Sequence, residues 1–322
     1  MSDTRTSPPS NDQRRELEAR YVRVRLAELH SRPPDPTFDE THLRAIHRHI
    51  FQDLPRKGLH EHHPGEYRPA IGEGADWIKH RQLETVPTRL YVPYSAMDEG
   101  ARSQLNRELS AVNIYGLRSL TRDHLANELS SLYARLDHLH PFHEGNSRTL
   151  RFFFTQLADE SDHHFDWDKL SGSPQQRDRL YIARDVAVLR QALPHVRGER
   201  ALQLATATLD RLEGNPSLEQ LFGRSLRPLR ALAYEQLQPN AATMRYPALR
   251  DVYASIETAT HNFCEQYKPT PAVLARFSGL LRDAVQKSLD QGRILSARDI
   301  HVPPELLTRS DDQRLTLGRA ER

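Results

Sequence analysis

Two apolar helical stripes, separated by a few polar residues, constrain this chain more than any other feature. Thr121 is a good N-cap, with Asp123 in the first turn behind it. The helix it starts carries Leu125, Leu129, Leu132, Tyr133, Leu136 and Leu139 on one face, and Pro141 stops it. A second stripe begins at about Ser147 and places Leu150, Phe153, Phe154, Leu157 and Ala158 at helical spacing. A face this apolar and aromatic predicts a deeply buried helix.

The rest of the chain reads as mainly α-helical. Residues 14–30 form a first predicted helix, ended by Pro33, Pro34 and Pro36. Over residues 39–54, Leu43, Ile46, Ile50, Phe51 and Leu54 make a helical face. Residues 55–94 hold Gly58, Gly65, Gly72, Gly74, Pro64, Pro69, Pro87 and Pro93. The short extended runs YRPAI and TRLYV among them predict a loop region with a strand pair. Further helices are predicted over 100–119, 177–193, 198–213, 217–237, 248–268 and 271–291, with a domain boundary near 195. At 322 residues the chain is long enough for one large domain or two. The apolar share, 37%, is low. Polar ends account for part of this, and residues 1–14 and 307–322 are expected to be loose.

Charge and cysteine content narrow the function classes. The 45 basic and 43 acidic residues nearly cancel, and no Lys/Arg-rich block carries interleaved aromatics, so a nucleic-acid partner is not expected. Cys264 is the only cysteine, which precludes an intrachain disulfide. With no apolar leader and no stretch of about 18 apolar residues, a cytoplasmic protein without a membrane span is expected, with delivery by a leaderless secretion route as the alternative.

The link between the stripes gathers the chemistry: His140-Pro141-Phe142-His143-Glu144-Gly145-Asn146-Ser147-Arg148-Thr149-Leu150-Arg151. Gly145 and Asn146 permit an unusual turn. The helix starting at about Ser147 directs its free N–H groups into that turn, which makes an anion site. Arg148 and Arg151, three apart, are able to face the same anion. Glu144 beside phosphate-binding groups makes sense as a Mg²⁺ ligand. His140 as a neutral imidazole takes a proton from an attacking hydroxyl. A helix-end histidine ordinarily caps or packs, and paired arginines ordinarily face solvent. Base, carboxylate, amide nest and arginines together are the parts for transferring a phosphorus group.

The segment resembles the signature of the Fic family, His-Pro-Phe-x-Asp/Glu-Gly-Asn-Gly-Arg-x-x-Arg, at every defined position except one. LRAIHRHIFQDL at 43–54, Gly65-Glu66-Tyr67-Arg68, FFFTQLA and FDWDKL extend the likeness over about residues 15–190. The resemblance implies a Fic fold over residues 15–195, a helical bundle with a small β-hairpin flap, followed by a helical extension over 196–306. It implies a protein adenylyltransferase that moves AMP from ATP, with Mg²⁺, onto a Ser, Thr or Tyr hydroxyl of a target protein, in a toxin or effector role. Under it His140 is the general base and Glu144 holds Mg²⁺. Gly145, Asn146 and Ser147 form the anion hole. Arg148 grips the β-phosphate and Arg151 the γ-phosphate, while Phe142 anchors the loop in the core.

One departure stands out: the family's second glycine is Ser147 here. Other transferred groups (UMP, GMP, phosphate, phosphocholine) and a catalytically inactive interaction module are therefore kept as alternatives. Residues 66–94 include the implied flap, with YRPAI and TRLYV as its arms. The string Ser95-Ala96-Met97-Asp98-Glu99-Gly100 fits the family's inhibitory pattern but lies inside the core region, so an antitoxin or inhibitor in trans, or none, is implied. The loop histidines His60, His62 and His63, and the pair His163 and His164, are read as polar residues without a metal. Cys264 is read as a buried small residue in a helix.

Overall fold

Helices dominate the computed structural model, which describes residues 10–59 and 63–296. His60, His62 and the expected tail at 307–322 lie outside the described residues. The chain divides into two units: one takes the described residues up to Ser161 together with Phe165–Leu226, the other Asp162–His164 and the residues from Arg227 on.

The first unit opens with α1 (Asn11–Ser31) and α2 (Glu40–Phe51). The first helix starts three residues earlier than its apolar pattern suggests. The Ser10 side chain accepts from the Gln13 N–H while the Gln13 side chain accepts from the Ser10 N–H. This reciprocal box satisfies donors that would otherwise fray. A hairpin follows, β1 (Trp77–Gln82) and β2 (Arg89–Tyr94), antiparallel with Trp77 opposite Tyr94 and Gln82 opposite Arg89. The expected first arm, YRPAI, is not a strand: the arm is WIKHRQ. Pro69 cannot donate to a ladder and Gly72 and Gly74 interrupt extension, whereas Trp77 and Ile78 suit a pleated surface. The hairpin tip is tied down by Asp178, whose carboxylate accepts from the N–H groups of Glu84 and Thr85 at 2.8 and 2.7 Å.

Next come α3 (Glu99–Ser110), α4 (Ile114–Arg118), α5 (Arg122–Leu139), α6 (Asn146–Glu160), the short α7 (Asp168–Ser171), α8 (Pro174–Ala192), α9 (Glu199–Leu212) and α10 (Leu218–Ser225). The two stripes that define the sequence are α5 and α6. Leu125, Leu129, Leu136 and Leu139 of α5 share a core with Leu150, Phe153, Phe154 and Leu157 of α6 and with Leu43, Ile46 and Ile50 of α2. Each such side chain contributes about 1.5–3 kcal/mol by leaving water. A second cluster joins Leu90, Val92 and Tyr94 of β2 to Val188 and Leu189 of α8 and Ala205 and Leu212 of α9. Because α9 supplies the surface on which the hairpin rests, the division falls after Leu226 and not near 195.

The predicted helix over 217–237 is two helices. Pro228 lacks an N–H and biases its predecessor away from helix, so α10 ends and α11 (Leu229–Gln236) starts anew. With α12 (Pro239–Arg245), α13 (Leu249–Tyr267) and α14 (Pro271–Asp290), α11 builds the second unit around Leu249, Val252, Phe263, Phe277 and Leu281. Phe263 and Phe277 stack with centroids 4.0 Å apart. Arg227 pairs with Asp290 at 2.7 Å and Glu235 at 3.0 Å. Cys264 is half-buried on α13 instead of buried, because it lies off the apolar stripe.

Candidate active site

The link between α5 and α6 is a backbone device before it is a chemical one. His140 closes α5 in the left-handed conformation (φ 46°, ψ 59°), with its N–H donating to Leu136 O. Gly145 precedes α6 at φ 83°, and a Cβ there would lie 2.3 Å from a ring carbon of Phe51. Only glycine fits both the dihedral and the space. The Asn146 side chain closes the link from inside: Oδ1 accepts from Phe142 N at 3.0 Å and Nδ2 donates to Phe142 O at 2.6 Å. Phe142 is buried and stacks on His47 at 3.8 Å. His47 accepts from Gly65 N–H at 2.8 Å through Nδ1, so its Nε2–H donates to Glu144 O at 3.0 Å.

Arg68 fixes the carbonyl side of the same link. Its N–H donates to Pro141 O at 2.9 Å, its Nε to His140 O at 2.9 Å and its Nη2 to Ser95 O at 2.6 Å. Its guanidinium lies 3.6 Å from the Trp77 ring centroid. Burial lowers its pKa, and carbonyl oxygens serve as its partners.

His140 is itself buried, walled by the Tyr94 ring at 4.1 Å and the Trp77 ring at 5.4 Å. Its Nδ1 lies 3.3 Å from Asp137 O and 3.7 Å from Asp137 Oδ1. With a proton on Nδ1 facing Asp137, the lone pair falls on Nε2. Burial pushes the imidazole down to about 4, against the smaller upward pull of Asp137. The ring is therefore neutral at physiological pH and able to accept a proton.

The N-terminus of α6 has no side-chain cap, since Gly145 occupies that position. Its first N–H groups are available to an anion. The Asn146 side chain is committed to Phe142, so what Asn146 offers an anion is its N–H. The two motif arginines have separate partners. Arg148 is half-exposed, donates from Nη1 to Glu18 of α1 at 3.0 Å and lies 4.7 Å over the Phe51 ring. Arg151 is mostly buried, donates to Ser171 Oγ at 3.3 Å and lies 5.5 Å from the Trp167 ring.

Glu144 is about half exposed and bonds to a flap residue: Lys79 Nζ lies 3.2 Å from its Oε1 and donates to His143 O at 3.0 Å. A solvent-facing carboxylate that already attracts a cation, beside an open helix N-terminus, suits a magnesium ion held mainly through a ligand's phosphates. Among the described residues no group of three His, Cys, Asp or Glu forms a metal cage.

Several site residues escaped sequence reasoning because they come from distant segments. Arg184 of α8 grips Asp137 with Nε and Nη2 at 2.9–3.0 Å and donates from Nη1 to Ser147 Oγ at 3.1 Å. The next residue, Asp185, meets Arg81 of the flap at 2.7 Å, and Arg81 donates to the Tyr94 hydroxyl at 3.2 Å. Burial alone would raise the Asp137 pKa, but Arg184 holds it well below the usual carboxylate range. Glu18 gave no signal, being one acid on a helix that is polar nearly all round. The string at Ser95–Gly100 runs from the residue after β2 into the start of α3, where Asp98 caps the helix and Glu99 is exposed.

Residues 37–158 match the model of the Fic/DOC family. Over these residues the chain is similar to a Fic domain. It is similar to the protein adenylyltransferase VbhT of Bartonella schoenbuchensis, at 27% identity over 50% of this chain and 29% of that protein. It is also similar to the probable protein adenylyltransferase y4lH of Sinorhizobium fredii, at 30% identity over 42% of this chain and 61% of that protein. The chain thus spans less than two thirds of the length of either relative. Among solved structures it is similar to the N-terminal Fic domain, with bound ADP, of a putative cell filamentation protein from Bartonella quintana. That likeness has 18% identity and a TM-score of 0.46, covering 70% of this chain and 90% of that one. The Fic motif at 140–151 lies within the matched residues. Among the described residues no helix is long and apolar enough to cross a membrane.

Proposed function

We propose that this Fic domain transfers AMP from ATP to a hydroxyl of a target protein. The observation that carries the reading is the pairing of His140, neutral and with Nδ1 turned to Asp137, with the uncapped N-terminus of α6. The names of the two relatives, protein adenylyltransferases, support the same reaction.

The target hydroxyl oxygen attacks the α-phosphorus while its proton passes to His140 Nε2. The bond from the α-phosphorus to the oxygen bridging toward the β-phosphate breaks, and pyrophosphate leaves. Arg68, bound to the His140 carbonyl, and Tyr94, packed on its ring, keep the imidazole oriented. The backbone N–H groups of Gly145, Asn146 and Ser147 would receive phosphate oxygens, with Arg148 and Arg151 on the phosphates beyond. A magnesium ion held by Glu144 and those phosphates would offset the charge that builds on the leaving pyrophosphate. Lys79 holds the flap beside the same carboxylate.

The test is transfer of label from α-³²P-ATP to proteins of a lysate, with His140→Asn as control, since Asn tolerates the left-handed position. General-base removal is expected to slow transfer about 10²–10⁴-fold. Equal labelling by both proteins would overturn the reading. Labelling from UTP or GTP, or from γ-labelled ATP only, would replace AMP by another group.

A further inference from the structure

Ser147 occupies a place where a hydroxymethyl group has two directions to turn: over the open end of α6, or sideways into the protein. Its Oγ is turned sideways, 3.1 Å from Arg184 Nη1. Arg184 is itself only 2% exposed, with the rings of Tyr133 and Tyr181 within 5.6 and 5.5 Å of its guanidinium carbon. Three of its contacts go to Asp137, whose backbone and side-chain oxygens face His140 Nδ1. One guanidinium thus spans from the first turn of α6 to the carboxylate behind the histidine.

We propose that Arg184, on a helix outside the motif, is a positioning residue that makes serine compatible with a phosphate cradle. By accepting from Arg184, Ser147 Oγ is anchored away from the free N–H groups of Gly145, Asn146 and Ser147. The anion therefore meets backbone donors with no hydroxyl over them. The fork geometry of the guanidinium matters here: Nε and Nη2 are used by Asp137, which leaves Nη1 aimed at one place. A lysine in that position could hold Asp137 or Ser147, but as a single point charge it does not fix both. The inference rests on the phosphate-binding reading of α6 and adds to it the residue that sets the Ser147 rotamer.

The experiment is a double-mutant cycle read by binding of a fluorescent ATP analogue with Mg²⁺, with circular dichroism and thermal unfolding in parallel. The four proteins are wild type, R184K, S147G and R184K/S147G. In the wild-type background R184K is expected to weaken binding fivefold or more. In the S147G background the same substitution is expected to change binding less than twofold, because no hydroxyl remains to be held. A merely structural ion pair would give equal losses in both backgrounds, and that result overturns the proposal, as does an R184K protein that binds like wild type. Should R184K fail to fold, the pair is removed together as D137L/R184M, an exchange that buried ion pairs often tolerate. S147G is then expected to tighten binding fivefold or more in that protein, and no gain would overturn the proposal. If wild-type protein binds no nucleotide, the phosphate-binding reading fails and takes this inference with it. Binding by wild type with an additive cycle defeats the Arg184 inference alone.

Discussion

Glu18 on α1 accepts a hydrogen bond from Arg148 Nη1 at 3.0 Å, across 130 residues of sequence. Under the proposed function Arg148 also meets a phosphate, which would compete with the Glu18 carboxylate for one guanidinium. The pair is partly exposed, and such pairs contribute about 0.2–1 kcal/mol. Glu18→Ala should therefore raise nucleotide affinity about two- to fivefold. Calorimetric titration of wild type and variant measures it, and unchanged affinity would show that Arg148 is not shared.

Gly145 sits at φ 83° with Phe51 where a Cβ would go. Gly145→Ala combines left-handed strain of about 1–2 kcal/mol with an overlap costing about 1–3 kcal/mol. A loss of stability of that combined order, read from the urea midpoint, is expected. The α6 N-terminus should lose anion affinity with it.

Phe142 links the motif to the core by stacking on His47. Phe142→Ala should cost about 3–5 kcal/mol, typical of a buried aromatic truncation. Urea unfolding checks this. Should stability hold while labelling is lost, Phe142 would have a chemical role that its burial argues against.

Buried histidines shape the acid side of the pH profile, and His42 is pushed down by burial as well. Burial pushes both His138 and His140 from 6.5 down to about 4. Their pKa values are lower folded than unfolded, so the unfolded chain binds protons first as the pH falls. Stability from their neutral burial is complete above about pH 6.5 and is lost as the pH falls through 6.5 toward 4. Denaturation midpoints across that window test the sign. The rate of labelling should hold down to about pH 5, because His140 stays unprotonated there. An acid limb centred near 6.5 would mean that water reaches the ring.

The helical character, the link at 140–146 and the buried stripes of α5 and α6 were legible in sequence because they depend on neighbours three to seven residues apart. Phe142, Gly145 and the turn chemistry are of that kind. The hairpin was half legible. TRLYV marks its second arm, but the first arm is chosen by pairing with Tyr94, and YRPAI carries as many strand-like residues as the true arm does. The break at Pro228 was readable in principle, since a proline cannot donate within a helix.

The surroundings of His140 were not legible. Asp137 is one turn away, but Tyr94, Trp77, Arg68 and Arg184 arrive from the hairpin, the loop before it and α8. Nothing local distinguishes Arg184 or Glu18 from the other charged residues of their helices. By itself the sequence determined which residues stand at the helix junction, because the turn and the two stripes are local physics. Only the tertiary structure decided that His140 is buried and neutral, that Arg148 is held by Glu18, and that the Ser147 hydroxyl faces Arg184. Burial and charge pairing belong to packed neighbours, and those neighbours are far apart along the chain.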